Sequence, residues 1–287
     1  MSRRGNPGPP GGKLLCLAAV SDIPLSKRSG PIYSRSLVRE RGSGASRVLL
    51  PIVTMVAVAG PAAAHGAYFP TAWGWSAFGF AWAAVLALSL GGLVRFGRLE
   101  WITLGALGLL TCWIGLSALW SEDVSQTALE VQRMLVYLTA ALAALLVLRT
   151  ATVTSFLGAV LAAVAGICTY SLATRLFPER LAEFDEFAVN RLQQPLGYWN
   201  SLGTFAAMGV LLAVGFAARA CALWARALAG AALPVLATTL YFTFGRGAWL
   251  ALGAGLIAAI AVDRRRVQLI TSMLALAPLS VAAVWLC

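Results

Sequence analysis

Nine stretches of this chain, near 48–64, 72–94, 101–120, 131–148, 152–174, 196–218, 227–244, 248–262 and 267–286, are apolar and almost free of charge. A hydrocarbon layer of about 30 Å takes roughly 20 such residues as a helix. It offers no partner to an open backbone N–H or C=O, so a chain crossing it must be helical or a closed barrel. No segment shows the alternating pattern of about 10 residues that marks a barrel strand. The expected fold class is therefore all-α, a polytopic integral membrane protein of about nine transmembrane helices, with the first and eighth spans short. A soluble globule is excluded, because 11% of the residues are charged where such a protein carries about 25%.

Lys and Arg collect in cytoplasmic loops. With the N-terminus inside, the inner segments 1–47, 95–100, 149–151, 219–226 and 263–266 hold 17 of the 22 basic residues and 4 of the 11 acids. The outer side keeps Arg133, Arg175, Arg180, Arg191 and Arg246 against seven acids, among them Glu122, Asp123, Glu183, Asp185 and Glu186. The pI near 10.2 thus reflects topology and contact with anionic membrane lipids, and nucleic acid is not the expected partner. Two regions follow. Residues 1–47, rich in Gly, Pro, Ser and Arg, read as a disordered basic cytoplasmic tail, and 48–287 as the transmembrane helical domain.

The familiar chemistry of soluble enzymes is missing. Five scattered cysteines without a C-x-x-C spacing argue against a disulfide framework or a zinc site. The single histidine, His65, has no ligand-type neighbour in sequence and reads as a bystander; no metal or cofactor site is expected. No phosphate loop, no G-x-S-x-G and no H-E-x-x-H is present.

Three segments on the expected outer face stand out. In Trp120-Ser-Glu-Asp-Val-Ser-Gln, Asp123 is placed to cap a helix whose Gln126 comes three residues later. In residues 175–203, the run Arg191-Leu-Gln-Gln-Pro-Leu-Gly-Tyr-Trp-Asn puts Pro195 near a helix start and Tyr198, Trp199 and Asn200 near its first turn. Aromatic faces suit sugar rings and an amide can bond hydroxyls, so Tyr198 and Asn200 beside Arg191 form a candidate binding rim. An interfacial Tyr and Trp belt alone accounts for two of these residues. In Phe242-Thr-Phe-Gly-Arg-Gly-Ala-Trp, glycines flank Arg246 at a tight helix connection, setting a guanidinium beside the N–H groups of a helix start. A planar guanidinium can grip a phosphate through two hydrogen bonds.

The order and spacing of these three segments resemble the O-antigen ligase and polymerase family over roughly residues 100–265. The resemblance implies an integral-membrane, GT-C-like glycosyltransferase of the bacterial inner membrane, acting in cell-surface polysaccharide and lipopolysaccharide assembly. Its donor would be a glycan linked to a polyprenyl diphosphate such as undecaprenyl diphosphate, passed to a lipid or glycan acceptor on the extracytoplasmic face without metal or cofactor. Arg246 and Arg191 would then hold the diphosphate, and Tyr198 and Asn200 shape the pocket. Ser commonly stands in the family where this chain has Gly245. The ligase branch also associates activity with a histidine in a later external loop, and none follows here before Cys287. The general base is therefore unassigned, and the chain is expected to be either the N-terminal part of a longer protein, the favoured reading, or an incomplete and inactive family member. A transporter or flippase of lipid-linked glycans, or a non-catalytic scaffold, is the alternative.

Overall fold

The computed structural model describes residues 44–91, 96–150, 152–181 and 191–286. The expected tail lies outside the described residues except at its last turn, where the first helix already begins at Gly44. Nine long α-helices are present among the described residues: α1 (Gly44–Ala63), α2 (Pro70–Gly91), α3 (Arg98–Leu116), α4 (Val124–Thr150), α5 (Val153–Leu176), α6 (Trp199–Arg219), α7 (Leu223–Phe242), α8 (Arg246–Val262) and α9 (Arg266–Leu286). No strand occurs among them, and the all-helical fold class stands.

Seven of these helices, all but α1 and α8, are long and apolar enough to cross a membrane, as a multi-pass membrane protein requires. Helix α8 has 17 residues, about 26 Å of axial rise, and the apolar part of α1 is Val48–Ala63. Local chemistry sets the boundaries. Asp123 Oδ1 accepts from the Gln126 amide at 3.0 Å and from Ser125 Oγ at 2.5 Å, so the cap expected from sequence starts α4 seven residues ahead of the apolar stretch at 131. Thr152 Oγ1 likewise accepts from the Ser155 amide at 3.2 Å to open α5. Prolines 51, 61, 234 and 278 lie inside helices, where neighbouring helices in lipid make them tolerable.

The helices pack into two groups joined by α1 and α5. Helix α4 packs on α2 and α3, and α1 bridges α2 to α5. Helices α5, α6 and α7 form the densest part, with α8 against α6 and α9 against α7. Lipid tails are as apolar as leucine, so such contacts depend on close backbone approach. A Cβ on Gly209 would lie 2.7 Å from Val164 and 2.8 Å from Leu236, which welds α6 to both α5 and α7. Thr239 Oγ1 donates across α7 to the Cys168 carbonyl of α5 at 3.3 Å.

A third, smaller cluster matters most for function. Ala62, Ile167, Leu192, Leu196, Leu202 and Phe242 are all buried together, so the segment before α6 is anchored among the ends of α1, α5, α6 and α7. At the opposite end of the bundle, Arg219 pairs with Asp263, Gln268 Nε2 donates to the Ala218 carbonyl and Arg226 Nε to that of Ala217. Cys112 and Cys168 are free thiols, and Cys221 is disulfide-bonded.

Candidate functional site

The segment preceding α6 is seated by two anchors. Leu192 donates its amide to the Phe242 carbonyl at 3.0 Å, tying it to the end of α7. Gly197, at φ +76°, donates to the Gln193 carbonyl at 2.9 Å and closes a turn. Pro195 is therefore not the helix start expected from sequence: it sits inside this turn, and the left-handed residue at 197 prevents a helix from running through it. Tyr198, in extended conformation, becomes the N-cap, and Trp199 and Asn200 are the first two helical residues.

A second turn locks onto the first. Gly66, at φ +64°, packs so closely on the Leu196 backbone that a Cβ there would meet its carbonyl oxygen at 3.1 Å. A Cβ on Gly197 would in turn lie 3.6 Å from His65 Nδ1. His65 thus belongs to the same end of the bundle as the α6 start, a placement its isolated position in sequence did not reveal.

The connection from α7 to α8 is three residues long, Thr243, Phe244 and Gly245. Glycine was expected to supply its conformational freedom; instead Phe244 takes the left-handed conformation at φ +50°, and Gly245 has an ordinary φ of −80°. What Gly245 provides is room, because a Cβ there would stand 3.3 Å from Asn200 Oδ1 and 3.4 Å from Thr243 Oγ1. Arg246 follows as the first residue of α8, its side chain exposed.

These contacts form a chain of neighbours. The Arg191 guanidinium lies 5.0 Å from the Trp199 ring centre. Trp199 leans on Tyr198 with centroids 5.0 Å apart, Asn200 Nδ2 donates to the Tyr198 hydroxyl at 2.8 Å, and Asn200 adjoins Gly245. Arg191, Tyr198, Asn200 and the Gly245–Arg246 step, all singled out from sequence, thus share one end of the bundle. Neither Arg191 nor Arg246 is in an ion pair among the described residues. Glu183, Asp185 and Glu186 lie outside the described residues.

Two further arginines lie at this end: Arg133, whose role the sequence leaves open, and Arg175, which it does not single out. Arg175, in the last turn of α5, holds its guanidinium 4.0 Å from the Phe242 ring. Arg133 lies 5.7 Å from the Trp73 ring and 3.7 Å from the Glu130 carboxylate. Both had been counted among the few arginines on the expected outer side, and that excess was the available signal. Two spaces open beside the α6 start. A groove is lined by Tyr198, Asn200, Ser201, Thr204, Phe205 and Met208. A cavity of about 530 Å³, whose lining includes Gln126, Glu130, Arg133 and Tyr137, runs between the start of α2 and α4, and Ser201 lines it as well. No group of three His, Cys, Asp or Glu is placed to hold a metal ion among the described residues. No protein-family model, no curated protein and no solved structure matches the chain.

Proposed function

We propose that this chain is an O-antigen ligase-like glycosyltransferase, moving a glycan from a polyprenyl diphosphate carrier to a lipid or glycan acceptor. The observation that carries the reading is that Arg191 lies on Trp199 at the start of α6 while the adjacent Asn200 adjoins Gly245, the residue before Arg246. These residues come from the two motif segments that resemble that family, and α7 with most of α6 separates them in sequence. Two guanidinium groups at neighbouring helix starts, neither in an ion pair among the described residues, are suited to a diphosphate, which carries several negative charges. As the bond between sugar C1 and the diphosphate oxygen breaks, charge grows on the leaving oxygen, and fixed cations there stabilise the transition state more than the ground state. Each such donor is worth about 3 kcal/mol by comparison with single oxyanion-hole donors.

The distribution of Lys and Arg supports a cytoplasmic N-terminus, which sets Arg191 and Arg246 on the extracytoplasmic side of a bacterial inner membrane. A GT-C-like architecture, the polyprenyl diphosphate-linked glycan and the acceptor belong to the same proposal. The test is glycan transfer in vitro by the full chain in lipid, with a polyprenyl diphosphate-linked oligosaccharide as donor. Turnover that falls at least a hundredfold in Arg246→Ala supports the reading; transfer indifferent to Arg246 and Arg191 overturns it. The transporter alternative has one observation in its favour, the Glu130 and Arg133 pair within a span. Movement of lipid-linked glycan across vesicles without transfer would favour it.

A further inference from the structure

The cavity beside α4 is a place where a charged pair borders the outer end of an apolar span. Arg133 lies nine residues into α4 and two residues past the start of its apolar stretch at 131. Ionisable groups within a span face protein or a wet cavity and mark functional sites. Here the guanidinium has both. It lies over Trp73, whose Nε1 is itself fixed by donation to the Ala67 carbonyl at 2.7 Å, and it borders the open cavity of about 530 Å³. That volume lies within the range of small-molecule sites.

The lining states what kind of ligand fits. Gln126, Glu130, Arg133, Tyr137 and Ser201 offer amide, carboxylate, guanidinium and hydroxyl groups from two helices. Arg133 is already paired with Glu130 at 3.7 Å, so the cavity's fixed cation is balanced by a carboxylate. A phosphate entering would meet that carboxylate, whereas a hydroxyl-rich neutral ligand can accept from the guanidinium and donate to the carboxylate together. Arg191 and Arg246, by contrast, have no acidic partner among the described residues. Ser201 lines both this cavity and the groove holding Tyr198 and Asn200, so the two spaces share a wall at the start of α6.

We infer that this cavity is the subsite for an uncharged carbohydrate portion of the acceptor, held by Gln126, Glu130, Arg133 and Tyr137, and separate from the diphosphate site. The inference rests on the glycosyltransferase reading for the word acceptor, and on the cavity alone for the word carbohydrate.

The experiment uses the full chain in lipid nanodiscs and two probes, a set of neutral trisaccharides of glucose, galactose and mannose, and undecaprenyl diphosphate. Binding of each is measured for the unmodified protein and for Glu130→Gln, Gln126→Ala and Arg246→Gln, all checked for monodisperse elution. The expected result is that at least one trisaccharide binds, that Glu130→Gln and Gln126→Ala each weaken it tenfold or more, and that undecaprenyl diphosphate affinity stays within twofold in both. Trisaccharide binding unchanged in both cavity variants, or absent from the unmodified protein, overturns the inference. So does a parallel loss of undecaprenyl diphosphate in Glu130→Gln, which would make the cavity part of an anion site. Loss of trisaccharide in the cavity variants with undecaprenyl diphosphate binding unmoved in Arg246→Gln keeps the carbohydrate subsite and sinks the diphosphate reading instead.

Discussion

Leu192 donates its backbone amide to the carbonyl of Phe242, and the same Phe242 carries the Arg175 guanidinium 4.0 Å from its ring. One buried aromatic residue at the end of α7 therefore fixes the segment bearing Arg191 and borders a third arginine. Its side chain is worth more to the site than its area. Phe242→Leu is expected to keep the chain folded while lowering affinity for undecaprenyl diphosphate several-fold, since a cation over a ring face contributes about 0.5–2 kcal/mol. A lipid-binding titration in nanodiscs checks this.

Trp199 plays the same part for Arg191. Trp199→Leu is predicted to raise KM for the diphosphate donor by about three- to tenfold, with a smaller effect on kcat, because the guanidinium remains but loses its platform. Arg191→Lys is expected not to restore a loss seen in Arg191→Ala, since an ammonium cannot reproduce the paired donors of a guanidinium. Steady-state kinetics on the donor separates the cases.

Gly203 is the position where α6 meets the α7 to α8 connection most closely: a Cβ there would lie 2.8 Å from Thr243 Oγ1 and 3.0 Å from the Ala248 Cβ. Gly203→Ala is predicted to destabilise by about 1–3 kcal/mol, the usual cost of overpacking. Because the atoms it displaces adjoin Arg246, activity should fall further than the lower melting temperature explains. Thermal unfolding in detergent, read beside turnover, gives both numbers.

Phe244 is exposed and left-handed. That conformation costs a residue with a Cβ about 1–2 kcal/mol, so Phe244→Gly is expected to be neutral or stabilising despite the loss of ring contact with Tyr241, whereas Phe244→Val should destabilise. A rise or fall in the melting midpoint decides.

At the other end of the bundle, Asp263 is held below the ordinary aspartate range, first by the Arg265 amide and then by its Arg219 partner. A lowered carboxyl pKa stabilises the folded state above the unfolded value, about 3.9, and that contribution disappears as pH falls through the folded value. Asp263→Asn should therefore flatten the loss of stability below about pH 4 and leave the Arg191 and Arg246 end of the bundle untouched. Acid titration of the melting temperature for both proteins tests the sign.

Much of the helical framework was readable from residues 48–286 because length and hydropathy alone decide what can cross hydrocarbon. The Asp123 cap was readable too, since its acceptor and the Gln126 donor are neighbours in sequence. What escaped notice depended on partners far apart along the chain. Nothing near His65 announces that it will pack against Gly197, and nothing near Arg133 announces Trp73. Glycine conformations were misjudged for a related reason: the α7 to α8 connection put its left-handed residue at Phe244, while tertiary crowding by Asn200 and Thr243 settled what Gly245 was for.

The interlocked turns at Gly66 and Gly197 bear on how the protein is made. They are 131 residues apart in sequence, so the surface that receives the second turn is synthesised long before the second turn exists. During biogenesis their contact can form only once α6 has been made, so the α1 to α2 connection reaches its final packing late. A lesion at Gly66 would then be felt as a failure to complete the distant arginine site, even though every arginine is present and every helix has been inserted.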